Sequence, residues 1–254
     1  MKILGSDFDG TLAEGGIDEE KLRAVDRWRA AGNKFGIISG RGGDFYETLR
    51  REYPRLAFDF YAACNGAYIL DGEGEVIYEA PCRAVPAHDL ACDLYVGSSA
   101  VCVKVAKRCL YVLRIGDRLP EWAAADEKIL LSRTQDIDYF HCFSVCFPSV
   151  EAVALAAKDM QKQYGEYLCP LPNRNWLDIV LRGVNKAEGL MRVAEHFGCG
   201  REDVIAVGDN RNDTDMLRAF RSYAMANGVA EARAAAGAIT QSVTALIERE
   251  LKDK

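Results

Sequence analysis

The stretch GSDFDGTL, residues 5–12, sets Asp7 and Asp9 two positions apart directly after the apolar opening MKIL. Taken alone, the pair reads as a polar turn closing a strand, because Asp and Gly are ordinary turn residues. Three further groups alter that reading. Ser39, Gly40 and Arg41 follow the apolar run KFGII, Lys186 opens the helical pattern KAEGLMRVAEHF, and GDNRND, with Asp209, Asn212 and Asp213, follows DVIAV. In an open α/β sheet ligands bind beyond the carboxyl ends of the strands, so groups that follow separate strands converge in space. Carboxylates, a hydroxyl, an amide and an ammonium pack a core poorly but suit Mg²⁺ with phosphate. Carboxylates hold the hard cation, which keeps some waters and also takes substrate phosphate oxygens. Lys186, the Ser39 hydroxyl and the Asn212 amide are then free to neutralise or hydrogen-bond the oxygens that remain.

The elements that must position these groups are visible as changes of rhythm. Over the first eighty or so residues, apolar runs alternate with amphipathic helical stretches, the pattern of a parallel sheet covered by helices. MKILGSD, KFGIISG and FDFYAACNG read as strands. DEEKLRAVDRWRAAG reads as a helix capped by Asp18 and stopped at Gly32, and GDFYETLRREY as a second whose Asp44 and Glu47 have capping-box spacing. AYILDGEGEVIYEA breaks the alternation as a hairpin. From there to Asn175 the pattern changes to paired strands, AVCVKVAKRCLYVLRIG and YFHCFSVCFP, with helices at PAHDLACDLY and SVEAVALAAKDMQKQY. The first rhythm then returns through NKAEGLMRVAEHFG, DVIAVGD, TDMLRAF, YAMANG and SVTALIERELK. The expected architecture is an α/β fold in which a Rossmann-like core, residues 1–82 and 175–254, carries an inserted α+β cap, residues 83–174.

Composition narrows the partners. The 254 residues are 49% hydrophobic and 28% charged, which supplies an ordinary globular core, and a net charge of −6 disfavours a surface built for nucleic acid or an anionic membrane. The nine cysteines are odd in number and form no CxxC pair, which suits reduced, buried thiols. No apolar run approaches the length of a membrane span and the N-terminus lacks a signal-peptide pattern, so cytoplasmic residence is expected. His88, His141 and His196 share no metal-ligand spacing.

DFDGT, ISGR, Lys186 in GVNKAEGL and GDNRNDTDML resemble, in order, the four motifs of the haloacid dehalogenase-like phosphatases. The inserted segment, the AACNGAYIL loop and the late AMANG resemble subfamily IIB, the Cof-type sugar-phosphate phosphatases. The resemblance implies Asp7 as the nucleophile that becomes an aspartyl phosphate and Asp9 as general acid and base. It implies Mg²⁺ held by Asp209, the Asp7 carboxylate and the Asp9 backbone carbonyl, with Asp213 acting through water or a supporting hydrogen bond. Ser39, Lys186 and Asn212 match phosphate-contacting positions; Gly40 and Arg41 complete that substrate loop, although Arg41 is equally suited to a structural ion pair. Asn185 stands before the lysine where Ser is common, and the segment after AMANG is shorter than usual. The expected activity is Mg²⁺-dependent hydrolysis of a small phosphorylated substrate, a sugar phosphate by resemblance. The rival readings are a phosphomutase of the same superfamily and a phosphate-metabolite binding module without turnover. In the cap, Lys104, Lys107, Arg108, Arg114 and Arg174 are candidates to reach the leaving group, though a solvated face accounts for most of them.

Overall fold

The computed structural model describes residues 1–113 and 127–252. The chain opens with β1 (Ile3–Ser6), α1 (Glu19–Ala30), β2 (Lys34–Ile38), α2 (Phe45–Glu52), β3 (Phe60–Ala63) and the hairpin β4 (Tyr68–Asp71) and β5 (Val76–Glu79). It then leaves for α3 (Ala87–Tyr95), β6 (Ala100–Val105), β7 (Arg108–Leu113), β8 (Glu127–Leu130), β9 (Cys142–Cys146), α4 (Val150–Tyr164), β10 (Leu168–Asn173) and β11 (Trp176–Leu181). It returns through α5 (Lys186–His196), β12 (Val204–Gly208), α6 (Thr214–Ala219), β13 (Arg221–Met225), α7 (Ala230–Ala235), β14 (Ala238–Thr240) and α8 (Val243–Lys252).

The first sheet has the order β14-β13-β12-β1-β2-β3-β4-β5, parallel from β14 to β3 and antiparallel through the closing hairpin. Its parallel strands are buried on both faces, as crossover helices require. Leu4, Phe35, Ile37, Tyr61, Ile205 and Val207 pack on one side, while Ile3, Ile38, Phe60, Val204 and Ala206 pack on the other. This is the period-two alternation of strands carried through neighbouring chains in register. Because β1 lies between β2 and β12, strand order reverses at its carboxyl end, and a crevice opens there.

The second sheet, β10-β11-β9-β6-β7-β8, is antiparallel except for β7 with β8. Val101, Val103, Phe143, Val145, Leu177 and Ile179 face α3 and α4, packing with Leu90, Leu94, Val153 and Met160. The intervening residues Cys102, Lys104, Ser144 and Asp178 face the other way, and Cys102, Ser144 and Asp178 stand in one cross-strand row. The second sheet therefore presents an apolar face to its helices and a polar one to the first sheet.

Several elements differ from the sequence reading. β11 pairs with β9 and β10, so the second sheet runs past the expected boundary at residue 174 and takes in Trp176–Leu181. β10 carries Pro170 and Pro172, which hide it as a strand; it lies at the sheet edge, where a missing N–H costs no ladder bond. Asp18 caps α1 by accepting from the Lys21 N–H at 2.9 Å, whereas Asp44 makes no capping bond to α2. The first N–H groups of α2 are taken instead by the carbonyls of Gly42, Gly43 and Asp44. No helix among the described residues is long and apolar enough to cross a membrane.

Asp59 locks the entry to β3. It accepts from Arg29 Nε at 2.9 Å, Lys34 Nζ at 3.1 Å and the Phe35 N–H at 3.0 Å. Burial alone would raise its pKa, but these donors outweigh it and hold the carboxyl below its usual range. Asp59→Ala is expected to cost about 2 kcal/mol at neutral pH, the worth of a charge-assisted hydrogen-bond set left without its acceptor. A depressed pKa means the stabilisation is complete above the unfolded carboxylate pKa and disappears as pH falls through the lower, folded value. Urea unfolding of wild type and variant at pH 7 and at successively lower pH checks both the gap and its closing only under strongly acidic conditions.

Candidate active site

Asp7 is the first residue beyond β1, and its N–H still donates to the Val207 carbonyl at 2.9 Å, so the side chain emerges at the crevice between β1 and β12. The chain then turns sharply through Asp9 and Gly10. Gly10 has φ +80°, and a Cβ there would lie 2.6 Å from Asp209 Oδ2, so only glycine allows this backbone to pass Asp209. Asp209 follows β12 directly, and its Oδ1 accepts from the Thr11 hydroxyl at 2.9 Å. The first and fourth motifs are thus tied through one hydrogen bond.

Lys186 is the first residue of α5, whose N-cap Asn185 accepts from the Glu188 N–H. The Ser usual at that position is thereby matched in function, since Asn caps as well as Ser. The Lys186 side chain is fully buried; its Nζ donates to Asp7 Oδ1 at 2.6 Å and to Asp213 Oδ1 at 2.5 Å. Asp213 Oδ2 accepts the N–H groups of Asp209 and Asn210, both at 2.9 Å, which shapes the turn that presents Asp209. Both oxygens of Asp213 are engaged in holding neighbours.

Oxygens of Asp7, Asp209 and Asp213 all lie within 4.8 Å of one another. Burial pushes the Asp7 carboxyl well above its usual range, with Asp213 and Asp209 adding to the effect and Lys186 opposing it. Asp209 is raised by burial and then by Asp213. One buried ammonium against three buried carboxylates leaves a deficit of about two positive charges. An all-oxygen donor set with that deficit, beside a backbone that only glycine lets approach, fits a hard divalent cation such as Mg²⁺.

At the rim, Arg41 grips Asp9 with two hydrogen bonds, Nε to Oδ2 at 2.7 Å and Nη2 to Oδ1 at 2.6 Å, and its guanidinium lies 4.1 Å from the centre of the Phe45 ring. Of the two uses the sequence allowed for Arg41, the ion pair is the one present. A cavity of about 630 Å³ opens from Asp7 and Asp9 between the two sheets. Ser39, Gly40, Arg41 and Asn212 line it from the first sheet, and Lys104, Cys109, Arg174 and Trp176 from the second. Asp7, Asp9, Ser39, Gly40, Arg41 and Asn212 therefore border one cavity, and Lys186, Asp209 and Asp213 gather around Asp7.

The cap cations separate. Lys104 is buried, and Arg174 stands at the β10–β11 turn with φ +54° and its guanidinium 3.7 Å from Asp209 Oδ2. Lys107 donates to the Gly74 carbonyl at 2.8 Å, Arg108 pairs with Glu127, and Arg114 lies outside the described residues. Asn65, Asn173, Asn175, Ser144 and Asp178 were not singled out from sequence. For Asp178 a signal existed: one carboxylate inside the apolar run WLDIVL has to face something polar.

The fold and this site define a phosphoryl-handling α/β hydrolase with a cap. The chain belongs to the haloacid dehalogenase-like hydrolase family, whose model matches residues 4–245, and it is a phosphoric monoester hydrolase. It is 46% identical over 94% of its length to a phosphoglycolate phosphatase of Natronomonas pharaonis, covering 91% of that protein. It is 41% identical over 92% of its length to a phosphoglycolate phosphatase of Halorubrum lacusprofundi, covering 88% of it. A solved sugar phosphatase of haloacid dehalogenase subclass IIB superposes with a TM-score of 0.81 at 21% identity, covering 98% of this chain and 99% of that one, so the core-and-cap fold is that of the subclass.

Lys186→Met is expected to destabilise the protein by about 3–5 kcal/mol, because buried carboxylates lose their ammonium. Adding Asp213→Asn should return part of that loss by neutralising one stranded charge, a non-additivity read from urea unfolding of the single and double variants.

Proposed function

We propose that the protein is a Mg²⁺-dependent phosphatase acting through an aspartyl phosphate on Asp7, with a small phosphorylated carboxylate of the phosphoglycolate type as its preferred substrate. The observation that carries the reading is the convergence of Lys186, Asp209 and Asp213 on Asp7, which lines a cavity with Asp9 at its rim. Asp7 and Asp209 would hold the ion with the Asp9 backbone carbonyl, and Asp213 would act through water, since its own oxygens already serve Lys186 and the turn. When bound, Mg²⁺ supplies positive charge to the phosphoryl oxygens and to the Asp7 carboxylate.

In the first step an Asp7 oxygen forms a bond to phosphorus as the ester P–O bond breaks, and Asp9 gives its proton to the departing oxygen. In the second, Asp9 takes a proton from water as that water attacks the phosphorus; the bond to Asp7 breaks, and inorganic phosphate leaves. Arg41, stacked on Phe45, fixes the direction of Asp9 between these transfers. Ser39 and Asn212 supply hydrogen bonds to the phosphoryl oxygens, and Lys186 holds Asp7 in place. The preference for a carboxylate rests on the two relatives and on Arg174, an exposed guanidinium on the cap wall of the cavity. Sugar phosphates, the class expected from the motif resemblance, form the comparison arm.

Asp7→Asn is expected to abolish turnover with the fold intact, since the amide is nearly isosteric but not a nucleophile. Asp9→Asn should release about one equivalent of nitrophenolate from p-nitrophenyl phosphate and then turn over slowly, because that leaving group needs no proton. Rapid quench, with mass spectrometry of the Asp7 peptide, reads both. Chelation should stop turnover and Mg²⁺ restore it, with Ca²⁺ a poor substitute. Across a panel of phosphoglycolate and sugar phosphates, wild type should favour phosphoglycolate, and Arg174→Ala should raise its KM roughly tenfold, the loss of one charge-assisted contact. A panel in which sugar phosphates lead would return the substrate to that class.

A further inference from the structure

Between the two sheets lies a buried polar cluster that the reaction scheme leaves unused. Lys104 on β6 and Asp178 on β11 are 8% and 6% exposed, with Nζ and Oδ1 3.9 Å apart and the Ser144 hydroxyl bonded to both. Burying two charges is costly, and an apolar pair would serve packing better, so the cluster calls for another explanation. Each charge reaches across to the first sheet. Lys104 Nζ donates to the Gly40 carbonyl at 2.6 Å, and Asp178 Oδ2 accepts from the Asn65 side-chain amide at 2.9 Å. Gly40 has no side chain to spare for this approach: a Cβ there would stand 2.5 Å from Asp178 Oδ2.

The Gly40 carbonyl belongs to the same planar peptide as the Arg41 N–H, and that N–H donates to Ser39 Oγ at 3.2 Å. Pinning one end of the peptide fixes the other. With Oγ already accepting from Arg41, the Ser39 hydroxyl is left to donate its own proton into the cavity. The loop is braced from behind as well, because the Cys64 and Asn65 N–H groups donate to the carbonyls of Arg41 and Ser39, each at 2.8 Å.

We infer that Lys104 is a positioning residue: seated against Asp178, it orients the Gly40–Arg41 peptide and so aims the Ser39 hydroxyl at the phosphoryl group. Seating of the cap is thereby coupled to phosphate binding rather than to recognition of the leaving group. The inference rests on the phosphatase reading with Ser39 at the phosphate. Two of the three Lys104 protons go to Gly40 and Ser144, and Asp178 neutralises the ammonium from 3.9 Å.

The test is a double-mutant cycle between Ser39→Ala and Lys104→Met, reading kcat/KM for p-nitrophenyl phosphate and for phosphoglycolate and inhibition by inorganic phosphate. Each single variant should lose roughly ten- to hundredfold in kcat/KM, the worth of one hydrogen bond to a charged group. Lys104→Met should lose the same factor on both substrates, weaken inorganic phosphate in parallel and add little in the Ser39→Ala background. A purely structural role would make the losses multiply in the double variant, and that result overturns the inference. A loss confined to phosphoglycolate would place Lys104 on the leaving group and overturn it equally. Ser39→Ala with wild-type kinetics would overturn the phosphate reading for Ser39 and the inference with it, whereas an impaired Ser39→Ala beside an unimpaired Lys104→Met overturns the inference alone. If Lys104→Met does not fold, Lys104→Met/Asp178→Asn takes its place in the cycle, because it leaves no buried charge without a partner.

Discussion

The buried ammonium of Lys186 stands between Asp7 and Asp213, and the surrounding core is arranged around its shortfall of charge. Asp7 comes from the end of β1, Lys186 from the start of α5, and Asp209 and Asp213 from the turn after β12, so three crossovers must dock before the cluster exists. Burial raises the proton affinity of Asp7 and Asp209, and the neighbouring carboxylates add to it. A site so poised gains most from whatever brings positive charge to it, which is why the same geometry that is costly to fold is useful to phosphoryl chemistry.

The functional reading of the two halves of the molecule differs in kind. In the first sheet, chemistry sits at the ends of parallel strands, fixed by topology and backbone hydrogen bonds. In the second, it sits on one face of an antiparallel sheet, fixed by register. Lys104 shows how the halves meet: it reaches from the cap to the Gly40 carbonyl in the loop that bears Ser39, while Arg41 holds Asp9 at the rim.

How much could be read from sequence follows the same division. Asp7, Asp9, Ser39, Lys186, Asp209 and Asp213 were legible because each lies within a few residues of a strand or helix end, and local spacing fixes their place. The parallel core, the hairpin and most helices were legible from periodicity. Lys104 could be named from sequence only as one of several cap cations, and its meeting with Ser144 and Asp178 was not legible, because that depends on which strands pair and in what register. The second sheet's true end was missed for a related reason: Trp176–Leu181 has the apolar pattern of a core strand, and only its pairing with β9 and β10 assigns it. The prolines of β10 concealed an edge strand, and Asp44 had the spacing of a cap but not the backbone geometry.

The strict alternation of the cap strands has an evolutionary consequence. Residues such as Val101, Val103, Val145 and Leu177 answer to the helices, while Cys102, Cys109 and Trp176 border the cavity. Substitution can exchange the second set without disturbing the first, so the cavity wall can drift while the stability of the cap is conserved. Lining and packing are thereby inherited on separate surfaces of one sheet, and either can change while the other is kept.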